Sequence, residues 1–324
     1  MIKAVLLFIL GLILLIKGGD WFVDGATGIA ERFHIPEILI GATVVSIGTT
    51  LPEVMVSATS AAKGIGAMAY GNAIGSIICN TALVSAITIA VMPSIVDKKS
   101  LKLPVASFFI AAAFYAAVAY IFGGFSRITG IILLAMFVVY MVLIVRQAFT
   151  HPDELPTEEE EDEDKKEMPL WKEIVLLIVG AAAIALGANL LVDNGTYIAT
   201  VLGVPASVIA LTFVALGTSL PELVTAITSL AKGHGALSLG NVIGANLFNL
   251  VLVSGMSITI APFAVPVEKT IAGYNASLVV DIPVMLFVMA FMTIPALIKG
   301  KLSRLQGVVL LCIYFGYCLF QFVL

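Results

Sequence analysis

Charged residues are scarce in this sequence: only 12% of its 324 residues are Asp, Glu, Lys or Arg, whereas 60% are hydrophobic. Soluble domains average about 25% charged residues, so the low charge and a mean hydropathy of +1.10 indicate a membrane protein. Cysteine is also rare, and Cys79, Cys312 and Cys318 show no zinc-site or redox spacing and no disulfide framework. The sequence contains no HExxH motif, no GxGD pair and no serine/histidine arrangement. These absences argue against a membrane enzyme.

Long apolar runs take the place of the missing charge. With a spanning length of about 20 residues, the chain divides into ten predicted transmembrane helices, and we predict an all-α integral membrane protein. The predicted helices cover residues 3–17 (up to 33 if the helix is tilted), 38–62, 70–93, 103–123, 128–147, 171–191, 205–231, 238–262, 277–298 and 303–323.

An acidic segment separates the two halves of the chain. Ten of the 21 acidic residues lie between Asp153 and Glu167, and such a run is typical of a solvated linker. We therefore predict a first repeat of five helices over residues 1–148, an acidic linker over 149–169 and a second repeat of five helices over 170–324. One side of the predicted bundle has twelve Lys and Arg residues and the other has four. The positive-inside rule then predicts a cytoplasmic linker and two extracellular termini in a plasma membrane.

The two halves contain an internal repeat. When the sequence is shifted by 169 residues, Gly18–Asn80 aligns with Gly187–Asn249 without a gap, and 27 of 63 positions are identical. Each half has an odd number of helices, so the second copy must enter the membrane from the opposite face. Inverted repeats of this kind place a binding site near the bilayer midplane, between the repeats.

The repeat duplicates a proline and a glutamate inside an apolar run, as GTTLPE and GTSLPE. Because proline lacks an N–H and clashes with the preceding turn, we expect Pro52 and Pro221 to break their helices and free backbone carbonyls. Glu53 and Glu222 have no basic partner in the predicted spans. Two carboxylates in hydrocarbon need compensation, which predicts bound cations or protons.

The residues around each glutamate supply further oxygen atoms. Thr49 lies four residues before Glu53 and Ser46 three before Thr49, while Asn72, Ser76 and Asn80 share one face of the next helix. An all-oxygen site with two carboxylates suits a hard cation, and its mixed ligands favour calcium over magnesium.

These motifs resemble the two alpha repeats of the calcium/cation antiporter superfamily, particularly prokaryotic sodium/calcium exchangers. GTTLPE and GTSLPE are each followed by GNxIGxxxxN, and the resemblance covers nearly the whole chain. It implies that Ca²⁺ and Na⁺ are the substrates. By position it implies these metal-site residues: Glu53 and Glu222 as shared carboxylates, and Thr49 and Thr218 as calcium ligands. It also implies that Ser46 and Ala215 bind sodium through backbone oxygens, that Ser76 binds sodium through its hydroxyl, and that Asn80 and Asn249 lie beside the centre.

Two positions depart from the family pattern. Ala245 stands where related sodium exchangers often have serine, and Asn249 stands where the potassium-dependent branch has aspartate. The first difference removes a hydroxyl opposite Ser76, which leaves open a Ca²⁺/H⁺ antiporter that uses the same two glutamates. The second disfavours potassium transport. We expect a monomer in the lipid bilayer, without a resident cofactor or a nucleic-acid partner.

Overall fold

The chain folds into ten helices within the part described by a computed structural model, which comprises residues 1–93, 95–150, 168–202, 217, 219–267 and 270–323. In chain order the helices are α1 (Ile2–Arg32), α2 (Glu37–Ala62), α3 (Gly66–Val91), α4 (Lys98–Phe122), α5 (Arg127–Thr150), α6 (Leu170–Val201), α7 (Leu220–Ala231), α8 (Gly235–Ile260), α9 (Ser277–Lys299) and α10 (Arg304–Val323).

The predicted spans agree with these helices. Nine of the described helices are long and apolar enough to cross a membrane, and α7 is a shorter apolar helix of 12 residues. The region predicted to precede α7, residues 205–216, lies outside the described residues. Helix α1 runs to Arg32, as predicted for a tilted helix. The prediction of an all-α membrane protein is confirmed.

The predicted break at Pro52 is wrong. Helix α2 continues through this proline as regular α-helix from Ser46 to Ala62. The departure from α-helical geometry lies one turn earlier, at a π-helical turn over Gly41–Val45. The missing proline N–H still leaves the Gly48 carbonyl without its usual helical donor, so the chain tolerates the loss without ending the helix.

Two further π-helical turns occupy equivalent places in the repeats. They cover Asn80–Ser85 in α3 and Asn249–Val253 in α8. Asn80 and Asn249 are 169 residues apart, so each π turn begins at the same repeat position. Single π turns inside α-helices occur frequently at functional sites, and here they begin at two of the predicted site residues.

Helices α1 and α6 cross through reciprocal glycine contacts. A Cβ added at Gly11 would lie 2.9 Å from the carbonyl oxygen of Gly187, and one added at Gly187 would lie 2.8 Å from that of Gly11. The same relation joins Gly18 and Gly180, at 3.0 and 2.8 Å. Gly180 and Gly187 are the repeat copies of Gly11 and Gly18. Gly11 therefore contacts the repeat copy of Gly18, and Gly18 contacts the repeat copy of Gly11. A two-fold axis between antiparallel helices produces this pattern, so the repeats are inverted.

The centre of the bundle is formed by α2, α3 and α8. In the most apolar 18-residue stretch of each helix, 89% of the residues of α8 are buried, compared with 11% of those of α10. Short antiparallel strands brace one end, where β1 (Gly124–Phe125) pairs with β2 (Phe263–Ala264). A hairpin of β3 (Thr270–Ile271) and β4 (Tyr274–Asn275) precedes α9. Most of the predicted site residues that are described lie on these three helices: Ser46, Thr49 and Glu53 on α2, Ser76 and Asn80 on α3, and Asn249 on α8, whereas Glu222 lies on α7.

Candidate functional site

The structure brings the two predicted carboxylates together. Glu53 on α2 and Glu222 on α7 both have 0% exposed surface, and each lies within electrostatic range of the other. Among the described residues, none of their four carboxylate oxygens has a hydrogen-bond partner. Buried polar groups in folded proteins are normally paired, so four buried oxygens without a partner among the described residues are suited to bind a cation or a proton.

No basic side chain in the described part of the chain pairs with these acids. Within the described ranges, the ion pairs join other residues: Lys17 to Asp20, Arg32 to Glu173, Lys232 to Asp20 and Asp24, and His234 to Glu37. An ionised side chain in the membrane costs at least about 2.5–3.5 kcal/mol. Glu53 and Glu222 therefore need bound cations or protons when the protein is at rest.

Two hydroxyl groups of α2, those of Ser46 and Thr49, contact Asn241 on α8. Thr49 is 2% exposed and lies next to the Glu222 carboxyl group. Its hydroxyl donates to the side-chain oxygen Oδ1 of Asn241 over 3.2 Å. The Ser46 hydroxyl donates to the Gly41 carbonyl at 2.7 Å and to the Asn241 carbonyl at 3.0 Å. The Ser46 hydroxyl thus joins α2 to α8, and the Ser46 backbone carbonyl oxygen lies 3.5 Å from the Thr49 hydroxyl.

Asn80 on α3 and Asn249 on α8 are two further buried residues with unpartnered side chains. Both are 0% exposed, and neither the amide nitrogen nor the amide oxygen of either has a hydrogen-bond partner in the described part of the chain. Asparagine side chains in membrane bundles commonly form hydrogen bonds between helices, but these two form none with the described residues. Their free amide oxygens are suited to a cation.

The other predicted site residues divide into described and undescribed positions. Ser76 is buried on α3, one turn before Asn80, and its carbonyl accepts the Asn80 backbone N–H. Thr218 and Ala215 lie outside the described residues. We refer to the oxygens around Glu53 and Glu222 as the oxygen cage.

Two hydroxyl residues near the carboxylates were missed by sequence reasoning. Thr50 follows Thr49, and Thr225 lies three residues after Glu222. Both are 0% exposed, and their hydroxyls have no partner among the described residues. Their spacing of three residues from Glu53 and Glu222 was the available signal, because helical neighbours three or four residues apart share a face.

Asn72 was expected on the oxygen-rich face and has a different role. Its Nδ2 donates to the Ser57 hydroxyl at 2.7 Å and to the Glu53 carbonyl at 3.3 Å. Asn72 thus joins α3 to α2. Beside this helix pair, a small cavity is lined by Phe22, Gly48, Thr49, Pro52, Ala181, Ile184, Ala185 and Pro221. The cavity connects the α1–α6 crossing with the side of the oxygen cage.

A charged cluster lies at the end of α1 and α7, away from the carboxylates. Lys232 pairs with Asp24 at 2.7 Å, and the His234 Nδ1 pairs with a Glu37 carboxylate oxygen at 2.6 Å. This hydrogen bond to Glu37 raises the pKa of His234 above its usual value, against the opposing effect of burial. Sequence reasoning assigned His234 no role, and the structure gives it a contact between α2 and the α7–α8 turn.

The raised pKa of His234 predicts a pH-dependent stability. The pair with Glu37 contributes fully below the unfolded value of about pH 6.5, and its contribution disappears as pH rises through the higher folded pKa. The melting temperature of the wild type, compared with His234→Gln, is therefore expected to fall as pH rises from 6 to 9. A constant difference in melting temperature between the two proteins across this pH range would contradict a stabilising His234–Glu37 pair.

Comparisons with known proteins agree with this architecture. The family described as sodium/calcium exchanger protein matches residues 3–146 and 172–323. An uncharacterized membrane protein of Methanocaldococcus jannaschii is 35% identical over 307 residues, which cover 95% of this chain and 94% of that protein. The sodium/calcium exchanger MaX1 of Methanosarcina acetivorans is 28% identical over 350 residues, with 98% of each chain covered.

A solved structure shares the fold. The sodium-calcium exchanger NCX_Mj, soaked with 2.5 mM Na⁺ and 0.1 mM Ca²⁺, superposes with a TM-score of 0.80 at 33% identity and covers 97% of both chains. The family match, the spanning helices and the inverted repeat describe a multi-pass membrane transporter and not an enzyme. The chain belongs to the sodium/calcium exchanger family.

Proposed function

We propose that this protein is a secondary antiporter that exchanges Ca²⁺ for Na⁺ by alternating access, with the oxygen cage near the bilayer midplane as its transport site. The observation that carries the proposal is the set of four unpartnered carboxylate oxygens of Glu53 and Glu222, fully buried and contributed by opposite repeats. Two negative charges without a protein cation form a site that is complete only when it holds ions.

The chemistry of the cage favours calcium. Ca²⁺ accepts six to eight oxygen ligands in flexible geometry. The carboxylates of Glu53 and Glu222, the amide oxygens of Asn80 and Asn249 and the oxygens of Thr49 form such a donor set, and it includes no thiolate or imidazole. One divalent cation neutralises two carboxylates, and so do two monovalent cations. Competition of Ca²⁺ and Na⁺ for these charges is the physical basis of exchange.

The inverted repeats supply the alternation. Rocking of one repeat against the other around a fixed midplane site exposes that site to one side at a time. Glu53 lies in the first repeat and Glu222 in the second, so relative motion of the repeats opens the cage from either face. Downhill entry of Na⁺ then drives export of Ca²⁺.

A Ca²⁺/H⁺ antiporter is the second candidate. Ala245 is 0% exposed and has a methyl group where its repeat counterpart Ser76 has a hydroxyl. The loss of this donor weakens a sodium site. Two adjacent carboxylates can instead take up protons, because like charges at short range favour protonation. The same two glutamates would then couple Ca²⁺ to protons.

Uptake of calcium-45 into proteoliposomes under imposed ion gradients tests the proposal. An outward Na⁺ gradient is expected to drive Ca²⁺ uptake, and matched K⁺ and pH gradients are expected to have no effect. Uptake driven by the pH gradient alone would select the proton-coupled alternative. Absence of Ca²⁺ uptake under every gradient would refute both.

Restoring the missing hydroxyl is expected to strengthen sodium coupling. In Ala245→Ser, the half-activating Na⁺ concentration is expected to fall about fivefold, since one added polar contact contributes ~1 kcal/mol. Ala112→Ser is a matched control, because Ala112 is also 0% exposed and lies in the apolar core on α4. An identical Na⁺-activation curve for wild type and Ala245→Ser would reject a role for this position.

We further propose a monomer in the plasma membrane, with five-helix repeats over 1–148 and 170–324, a cytoplasmic linker over 149–169 and extracellular termini. The excess of Lys and Arg on the linker side supports this orientation. Single cysteines introduced at Ile2 and Met168 are expected to react with an impermeant maleimide from opposite sides of the membrane. Labelling of both from the same side would reverse the topology.

A further inference from the structure

Asn241 connects the second repeat to the predicted ligands of the first. It lies on α8 and is 0% exposed. Its backbone carbonyl accepts from Ser46, and its Oδ1 accepts from the Thr49 hydroxyl at 3.2 Å. The approach is close because Gly41 and Gly240 face the opposite backbones, where an added Cβ would lie 2.4 Å and 2.2 Å from a carbonyl oxygen.

The repeat counterpart of Asn241 makes different bonds. Asn72 donates from Nδ2 to the Ser57 hydroxyl and the Glu53 carbonyl, both in its own repeat. Ser57 corresponds to Ala226, so Asn241 has no such hydroxyl available. Its Nδ2 has no hydrogen-bond partner among the described residues. Asn241 therefore acts as an acceptor across the repeat interface and not as a tie within its own repeat.

We propose that Asn241 is a positioning residue that directs the Thr49 hydroxyl for ion binding, an inference that rests on the proposed transport site. The Thr49 hydroxyl also lies close enough to the Glu222 carboxyl group to interact with it, but the acceptor within hydrogen-bond distance of this hydroxyl on α8 is Asn241 Oδ1. A threonine hydroxyl has one proton and two lone pairs. Donation of the proton to Asn241 leaves the lone pairs for a cation. Without this acceptor, the proton turns to the Glu222 carboxylate and occupies an oxygen that the cation needs.

A double-mutant cycle with Thr49 tests this role. Asn241→Ala is expected to raise the KM for Ca²⁺ about tenfold, with the maximal rate within about twofold of wild type. A tenfold change corresponds to ~1.4 kcal/mol, which is in the range of one hydrogen bond. In a Thr49→Ala background the same change is expected to have almost no effect. Asn241→Asp keeps the acceptor oxygen and is expected to remain coupled to Thr49.

Several outcomes would overturn the inference. Additive effects of Asn241→Ala and Thr49→Ala on KM would show that Asn241 does not act through Thr49. A fall in maximal rate with unchanged KM would also contradict it. Should Asn241→Ala fail to purify, Asn241→Ser, which is too short to reach Thr49, replaces it in the cycle. Failure of the proposed function is distinct, because the wild type itself would then transport no Ca²⁺.

An independent observation concerns the ion pair between Lys232 and Asp24. Both residues are duplicated by the repeat, as Lys63 and Asp193. The Lys232 Nζ lies 2.7 Å from the Asp24 Oδ1. Lys63 and Asp193 are both described and exposed, and no ion pair joins them. The inverted repeats thus hold the same two residues in different states at the two ends of the molecule.

We infer that the two pairs alternate: the opposite-facing state of the transporter forms Lys63–Asp193 and opens Lys232–Asp24. When two inverted repeats exchange their conformations, the transporter changes from one facing state to the other. Lys63 and Asp193 then adopt the positions that Lys232 and Asp24 have here, and the reverse. This inference also depends on alternating access. The two ion pairs then mark which side of the membrane the cage faces.

Cross-linking with a short bifunctional methanethiosulfonate reagent in a cysteine-free background tests the exchange, because a Lys–Asp ion pair spans a longer distance than a disulfide does. Lys63→Cys with Asp193→Cys is expected to cross-link slowly, at a rate set by the population of the opposite-facing state, and to block transport when cross-linked. Lys232→Cys with Asp24→Cys is expected to cross-link readily and also to block transport. Reduction should restore activity in both. No cross-link between positions 63 and 193 in a double variant that still transports would overturn the inference without touching the cage assignment.

Discussion

Glu53→Gln and Glu222→Gln are each expected to reduce Ca²⁺ transport at least about 100-fold, since the loss of a charged ligand costs ~3 kcal/mol or more. Each change halves the charge of the cage and removes a carboxylate oxygen that has no protein partner. The variants should remain folded. Glutamine removes an uncompensated buried charge, so melting temperatures in ion-free buffer are expected to stay equal or to rise. Calcium-45 uptake and melting curves measure the two effects.

Glu173→Gln is the matched control for this prediction. Glu173 is also buried, at 3% exposure, but it forms a bidentate contact with Arg32 at 3.0 Å. Its neutralisation is expected to lower stability and to leave Ca²⁺ affinity unchanged, which is the opposite pattern. Wild-type uptake by either cage variant would disprove the role of the two carboxylates.

Gly240→Ala is expected to cause the largest loss of stability in the chain. The new Cβ would lie 2.2 Å from the Ile38 carbonyl oxygen and 2.9 Å from its Cα. Both atoms belong to the backbone of α2, so no side-chain rotation relieves the clash. Overpacking costs about 1–3 kcal/mol where side chains can adjust, and a backbone clash at the repeat interface should exceed this. The yield of monodisperse protein by size-exclusion chromatography is expected to collapse.

Gly316→Ala provides the comparison, because a Cβ at this position on α10 meets no atom within 4 Å. Alanine also favours helix over glycine by about 0.5–1 kcal/mol. Gly316→Ala should therefore keep or improve the yield. Equal yields of the two variants would contradict the close contact between α2 and α8.

The spans and the repeat were predictable because they follow from local composition and self-similarity. The end of α1 was harder to place. Lys17, Asp20 and Asp24 interrupt the apolar run, and a helix carrying them through this region depends on contacts distant in sequence. Lys232 supplies that contact, with Asp20 and Asp24 on α1. Only the fold shows that these charges are paired.

The residues of the candidate site could be proposed from the sequence, but the hydrogen bonds that they make could not. The paired LPE motifs indicated Glu53 and Glu222 because acids in apolar helices need a function. The prediction that proline breaks α2 failed, since packing in the bundle keeps the helix intact around Pro52. The different roles of Asn72 and Asn241 depend on which helix each one faces. That choice arises from tertiary packing and is invisible to a repeat alignment.

Equilibrium calcium binding to the purified protein tests the central claim most directly. Isothermal titration calorimetry in sodium-free buffer at constant pH is expected to give one Ca²⁺ per chain for the wild type. Added Na⁺ should weaken this binding competitively, and Glu53→Gln and Glu222→Gln should each abolish it. Calcium binding that persists at full stoichiometry in both variants would contradict a site shared by the two repeats.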